Sequence, residues 1–113
     1  MKQVWVDFSA DEEVPLVCPG LVTERSLLFV FPAPVKANFH MSGVALPLDI
    51  VFIDVFRQVI NIQRMALQES DRSTTYYRSD TVFQFALETA AGRLDQLRRN
   101  PHLWRMRVSN RNQ

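Results

Sequence analysis

Residues 35–54, VKANFHMSGVALPLDIVFID, decide the fold. Val35, Ala37, Phe39 and Met41 alternate with Lys36, Asn38 and His40, the period of two of a strand with one buried face. Ser42-Gly43 breaks the alternation, and Gly43 can supply the positive φ that a turn requires. Pro47 lacks an N–H and suits the first position of a strand rather than its middle. From Leu48 to Ile53 every residue except Asp49 is apolar, which predicts a strand covered on both faces. The two segments are expected to pair as an antiparallel hairpin. Asp49 shares a face with Val51 and Ile53. A carboxylate there must be hydrogen-bonded or lie at an open end of the sheet, because burying it unpaired is costly.

On the N-terminal side, SLLFVF at Ser26–Phe31 predicts a strand stopped by Pro32 and Pro34, and Val4–Phe8 predicts a shorter one. Pro15 and Pro19 bracket Leu16, Val17 and Cys18 in the connection between them. On the C-terminal side, Val55–Arg57 reads as a turn and Gln58–Leu67 as a strand. Gln68–Asp80, QESDRSTTYYRSD, has no apolar period and reads as an exposed loop. Thr81–Thr89 returns to a strand, with Phe83, Phe85 and Leu87 facing one way. Ala90–Arg99 is the one helix candidate: Thr89 can cap it, Leu94 and Leu97 form a stripe, and Arg98 and Arg99 suit its C-terminal dipole. Asn100-Pro101 ends it, and Leu103–Val108 alternates as a last strand.

The chain has 113 residues, enough for one domain over 1–113 and too few for two. Hydrophobic residues make up 47%, eight of them Phe, which argues against global disorder. No apolar run reaches the length of a membrane span, so no membrane role is expected. Met1-Lys2-Gln3 opens without a signal-peptide pattern, and the expected location is the cytoplasm, or a virion for a phage-encoded chain. The lone Cys18 excludes an intrachain disulfide and a cysteine zinc site, and its apolar neighbours suit an inert packed thiol.

Net charge is only +1, which argues against specific nucleic-acid binding. Its distribution is uneven. Residues 1–24 carry five acids against Lys2, and residues 93–113 carry six arginines against Asp95. Two solvated ends of opposite sign would explain this. Head-to-tail association, or contact of the basic end with a polyanion, is the sharper reading, with Arg98, Arg99, Arg105 and Arg107 as candidate partner-binding residues.

The pieces LLFVFP, NFHM, PLDIVFID and FALETAAG, in this order and spacing, resemble the family called domain of unknown function 192. The resemblance covers about Gly20 to Val108. It implies a compact, mostly antiparallel, barrel-like fold with one short helix, and no established activity. The family's Trp-Met-Lys-Asn-Thr stands here as His40-Met41-Ser42-Gly43-Val44, and its glycine-aspartate turn before the last strand as Asn100-Pro101-His102. The fold expectation is therefore mostly β, an antiparallel barrel-like sheet with one short C-terminal helix.

His40, Asp49 and Glu88 form the one His–carboxylate set that the expected fold could bring together. With Met41 and Tyr77 they make a candidate ligand-binding rim. The bland alternative leaves His40 on the surface, Asp49 bonded to turn amides and Glu88 paired with an arginine. Tyr76 and Tyr77, between Arg72 and Arg78, could stack on a partner or fold onto the sheet. No phosphate-cradling glycine loop, nucleophile elbow or paired histidine at helical spacing occurs, so no catalytic residue, metal or cofactor is expected. Two functions stay open: a non-enzymatic binding or assembly module that engages a protein partner or itself, and a small-ligand or hydrolytic protein using the rim.

Overall fold

The computed structural model of the chain describes residues 4–10, 21–22, 26–68 and 74–110. Cys18, the Pro15–Pro19 connection and Arg72 lie outside the described residues. Among the described residues seven strands follow one another: β1 Val4–Ser9, β2 Leu21–Val22, β3 Leu27–Val35, β4 Leu48–Ile53, β5 Val59–Met65, β6 Phe83–Ala90 and β7 Arg105–Asn110. They form a four-stranded sheet in the order β3-β6-β4-β5 and a three-stranded sheet in the order β2-β1-β7. All the pairings are antiparallel.

The stretch Leu48–Ile53 is the middle of the large sheet. It pairs with β5 on one side and β6 on the other, and every residue from Asp49 to Ile53 is buried. Val51 and Ile53 face a core shared with Val6 and Phe8 of β1, Met106 of β7, Phe85 and Leu87 of β6, and Leu94, Leu97 and Trp104. Ile50 and Phe52 face a second core with Met41, Met65, Phe83 and Ala86. The apolar run has no polar alternation because both faces are covered.

The expected hairpin between Val35–Met41 and Leu48–Ile53 does not form. Val35 closes β3, which pairs with β6, and the following residues contribute only a bridge between Phe39 and Tyr77. Yet their burial still alternates: Ala37, Phe39 and Met41 turn inward while Lys36, Asn38 and His40 face out. The segment lies across the second core as a cover, and Phe39 meets the rings of Phe29, Phe52 and Phe83 edge-on or tilted.

Three further expectations are corrected. Neither sheet closes among the described residues, so the architecture is two packed sheets rather than a barrel. Pro32 and Pro34 do not stop β3, which runs through both with an irregular register between Val30 and Val35. β3 ends the sheet, and prolines two apart put their missing donors on the same side of an edge strand, where no partner needs them. Finally, Ala90–Arg99 is no α-helix. Ala90 still belongs to β6, Gly92 takes φ 92°, and only Asp95–Leu97 winds, as a 3-10 turn. The Thr89 hydroxyl accepts a hydrogen bond from Ser26 Oγ at 2.8 Å instead of capping.

Candidate functional site

The middle strand divides the candidate residues between its two faces. On the face of the first core, Thr89, Asp49 and Arg64 stand in one row across β6, β4 and β5. Asp49 is fully buried. Its Oδ1 accepts from Arg64 Nε at 3.0 Å and Arg98 Nη2 at 2.8 Å, and its Oδ2 accepts from Gly92 N at 2.9 Å and Arg64 Nη2 at 3.3 Å. Asp95 joins the two arginines from outside, 3.1 Å from each. Burial pushes the Asp49 carboxyl up, but the hydrogen bonds from Arg64 and Gly92 and the charges of Arg98 and Arg64 outweigh it and hold it below the usual range. All its acceptor capacity is used in pinning residues 92–98 against the end of the sheet.

Glu88 faces the other way. It stands opposite Leu27 on β3 and Ile50 on β4, on the face of the second core. Asp49 and Glu88 therefore point to opposite sides of the sheet, as adjacent positions in paired strands must. Glu88 is half-buried, and burial pushes its carboxyl up, opposed only by the charge of His40. No hydrogen-bond donor meets it among the described residues. His40 is exposed beside it; its Nδ1 accepts from Ser42 N at 3.2 Å, and its ring meets Tyr76 edge-on at 6.2 Å. Leu27 and Tyr76 are both largely exposed.

Met41 is buried against Ile50 and Phe52, so it forms the floor of this face. Tyr77 folds onto the sheet: its backbone pairs with Phe39 at 2.8 and 2.9 Å, and its hydroxyl accepts from Ala66 N at 3.2 Å. Asn61, opposite Phe52, shares the face, and its side-chain Oδ1 is buried without a partner among the described residues. The structure thus brings His40, Met41 and Glu88 to one side of the sheet, and places Asp49 on the other. Sequence reasoning singled out neither Leu27 nor Arg64. Arg64 did carry a signal, as the lone cation in the otherwise uncharged strand Val59–Met65.

The basic C-terminal residues are largely occupied within the chain. Arg107 pairs with Asp7 through two 3.0 Å bonds across the β1–β7 ladder, so the oppositely charged ends meet each other. Arg98 serves Asp49 and Asp95, and Arg105 Nη2 donates to the Phe56 carbonyl at 3.1 Å. Arg99 is exposed, with no partner among the described residues. Among those residues no three His, Cys, Asp or Glu side chains gather as metal ligands, and no helix is long and apolar enough to cross a membrane.

Comparison with known proteins agrees with this scaffold. Residues 18–101 match the model of the DUF192 family, described as Uncharacterized ACR. None of the curated proteins matches the chain. Among solved structures, a protein of Sinorhizobium meliloti 1021, described as a suspected transcription regulator, superposes with a TM-score of 0.72. It is 17% identical, and the match covers 96% of each chain. A protein of unknown function from Novosphingobium aromaticivorans DSM 12444 superposes with a TM-score of 0.65 at 20% identity, covering 93% of this chain and 84% of that one. At such identities the likeness shows the fold alone.

Proposed function

The chain belongs to the DUF192 family, and on that scaffold we propose a non-enzymatic binding module whose recognition face is the side of the large sheet that carries Glu88. One observation carries the reading: Glu88 is a half-buried carboxylate, raised by desolvation, with no hydrogen-bond partner among the described residues and an exposed His40 beside it. Proteins pair such groups unless a ligand does so. The rim of His40, Asp49 and Glu88 favours hydrolysis less, because Asp49 is saturated on the opposite face and leaves His40 with one acid neighbour. General acid–base work asks for two groups on one substrate. The same face would serve a small molecule or a side chain of a protein partner, and a virion or accessory role is one setting for it.

The test is a fragment screen read by backbone amide NMR on the full chain. Hits are expected to shift amides of residues 27–29, 39–42 and 86–89 together. Hits that gather instead around Asp49 and Gly92, or nowhere, would overturn the reading, as would turnover of an ester or phosphoester substrate that His40→Ala abolishes.

A further inference from the structure

We infer that the Glu88 face selects an organic cation, a primary ammonium or guanidinium group carried on an apolar arm. The inference rests on the binding reading above and names its ligand class. Three observations converge on it.

First, the group left without a partner at the edge of this face is an acceptor: Glu88, opposite Leu27 and Ile50, meets no hydrogen-bond donor among the described residues. A ligand that brings N–H groups would satisfy it, whereas an anion would not. Second, the arginines that form ion pairs are committed elsewhere. Arg64 and Arg98 sit on the far side of the sheet with Asp49 and Asp95, and Arg107 holds Asp7. The only charged group acting on Glu88 among the described residues is His40. Among the described residues the carboxylate's position is thus open to an external charge, and its partial desolvation strengthens a charge-assisted bond there. Third, the surroundings are apolar. Leu27 stands opposite Glu88 and is 49% exposed, Ile50 and Met41 form the floor, and Phe29 packs on the same core. Tyr76, exposed and edge-on to His40 at 6.2 Å, adds an aromatic ring to the rim. An inorganic cation would gain nothing from these groups, while an alkylammonium or alkylguanidinium would bury its arm on the exposed Leu27.

The experiment titrates the full-length labelled protein at pH 8 with n-butylammonium, n-butylguanidinium, neutral n-pentanol and n-butyrate, following backbone amide shifts. Both cations are expected to perturb residues 27–29, 39–42 and 86–89, binding at least about tenfold more tightly than pentanol. Butyrate is expected to bind no better than pentanol. Glu88→Gln should abolish the preference for cations and leave pentanol binding intact, and Asp7→Asn should change nothing. Equal binding of pentanol and the cations on this face would overturn the inference and leave the binding reading standing. Retention of the cation preference by Glu88→Gln would also overturn it. Failure of all four probes to perturb the face would overturn the inference, while the broader fragment screen decides the binding reading separately.

Discussion

Replacing Asp49 with Asn removes one buried charge and leaves the shape. The carboxylate accepts four hydrogen bonds from two guanidinium groups and one backbone amide. An amide of the same size can accept through one oxygen only, and its NH2 group would face donors. Removing one partner of a buried ion pair costs about 3–5 kcal/mol when the other is left buried. Here the guanidinium groups are not buried: the Arg64 and Arg98 side chains are 48% and 32% exposed against 0% for Asp49. Water can take over much of their solvation, so the cost of the Asp49 change falls to about 2 kcal/mol. With a urea m-value of about 1–2 kcal/mol per molar, the midpoint of unfolding should drop by about 1–2 M. The sign with pH follows from the lowered native pKa. A carboxyl held below its unfolded value contributes stability that is full above that value and lost as the pH falls through the native one. The gap between wild type and variant should therefore hold at neutral pH and close only below the ordinary aspartate value of 3.8. Urea titrations at pH 7, 5 and 3 read both effects. A midpoint shift under about 0.3 M at pH 7 would refute a structural role for the network.

Glu88→Gln should act in the opposite sense. A carboxyl raised in the native state disfavours folding above its unfolded pKa, so the variant should have a higher urea midpoint at pH 8 and an unchanged one at pH 4. Gly92→Ala has room for its Cβ, with Asp95 Oδ2 at 3.9 Å, but forces a side chain onto φ 92°; thermal unfolding should show a loss of about 1–2 kcal/mol. The double change Pro32→Thr, Pro34→Thr restores two donors to an edge strand, and light scattering during storage should show faster association than wild type.

The sequence makes the middle strand easy to read. A six-residue apolar run broken only by Asp49 has one economical solution, a strand covered on both faces, and β4 is that strand. Its hydrogen-bonded partner is not legible in the same way, for a physical reason. The alternation of Val35, Ala37, Phe39 and Met41 reports which side is buried, and says nothing about where the backbone hydrogen bonds go. A cover segment lying over an apolar face shows the same period as a strand within it. Likewise, Leu94 and Leu97 are both buried, as a stripe predicts, but a spacing of three fits a 3-10 turn as well as an α-helix. The candidate site was partly legible. His40 and Glu88 do share a side of the sheet. That Asp49 faces away from them follows from the β4–β6 register, which places Asp49 opposite Thr89 and Ile50 opposite Glu88. A chain met without its register cannot reveal this, and the Arg98 contact, 49 residues from Asp49, is equally invisible.

Two acids stand back to back on one sheet, one locked into the scaffold and the other, in the proposed function, left for a ligand. Side-chain carboxyl carbon NMR, followed across an acid titration of the native protein, measures both at once. The account predicts that Asp49 titrates below the ordinary aspartate value and Glu88 above the ordinary glutamate value. A Glu88 carboxyl that titrates at or below the ordinary value would mean that a partner already holds it, and would contradict the claim that this face is open.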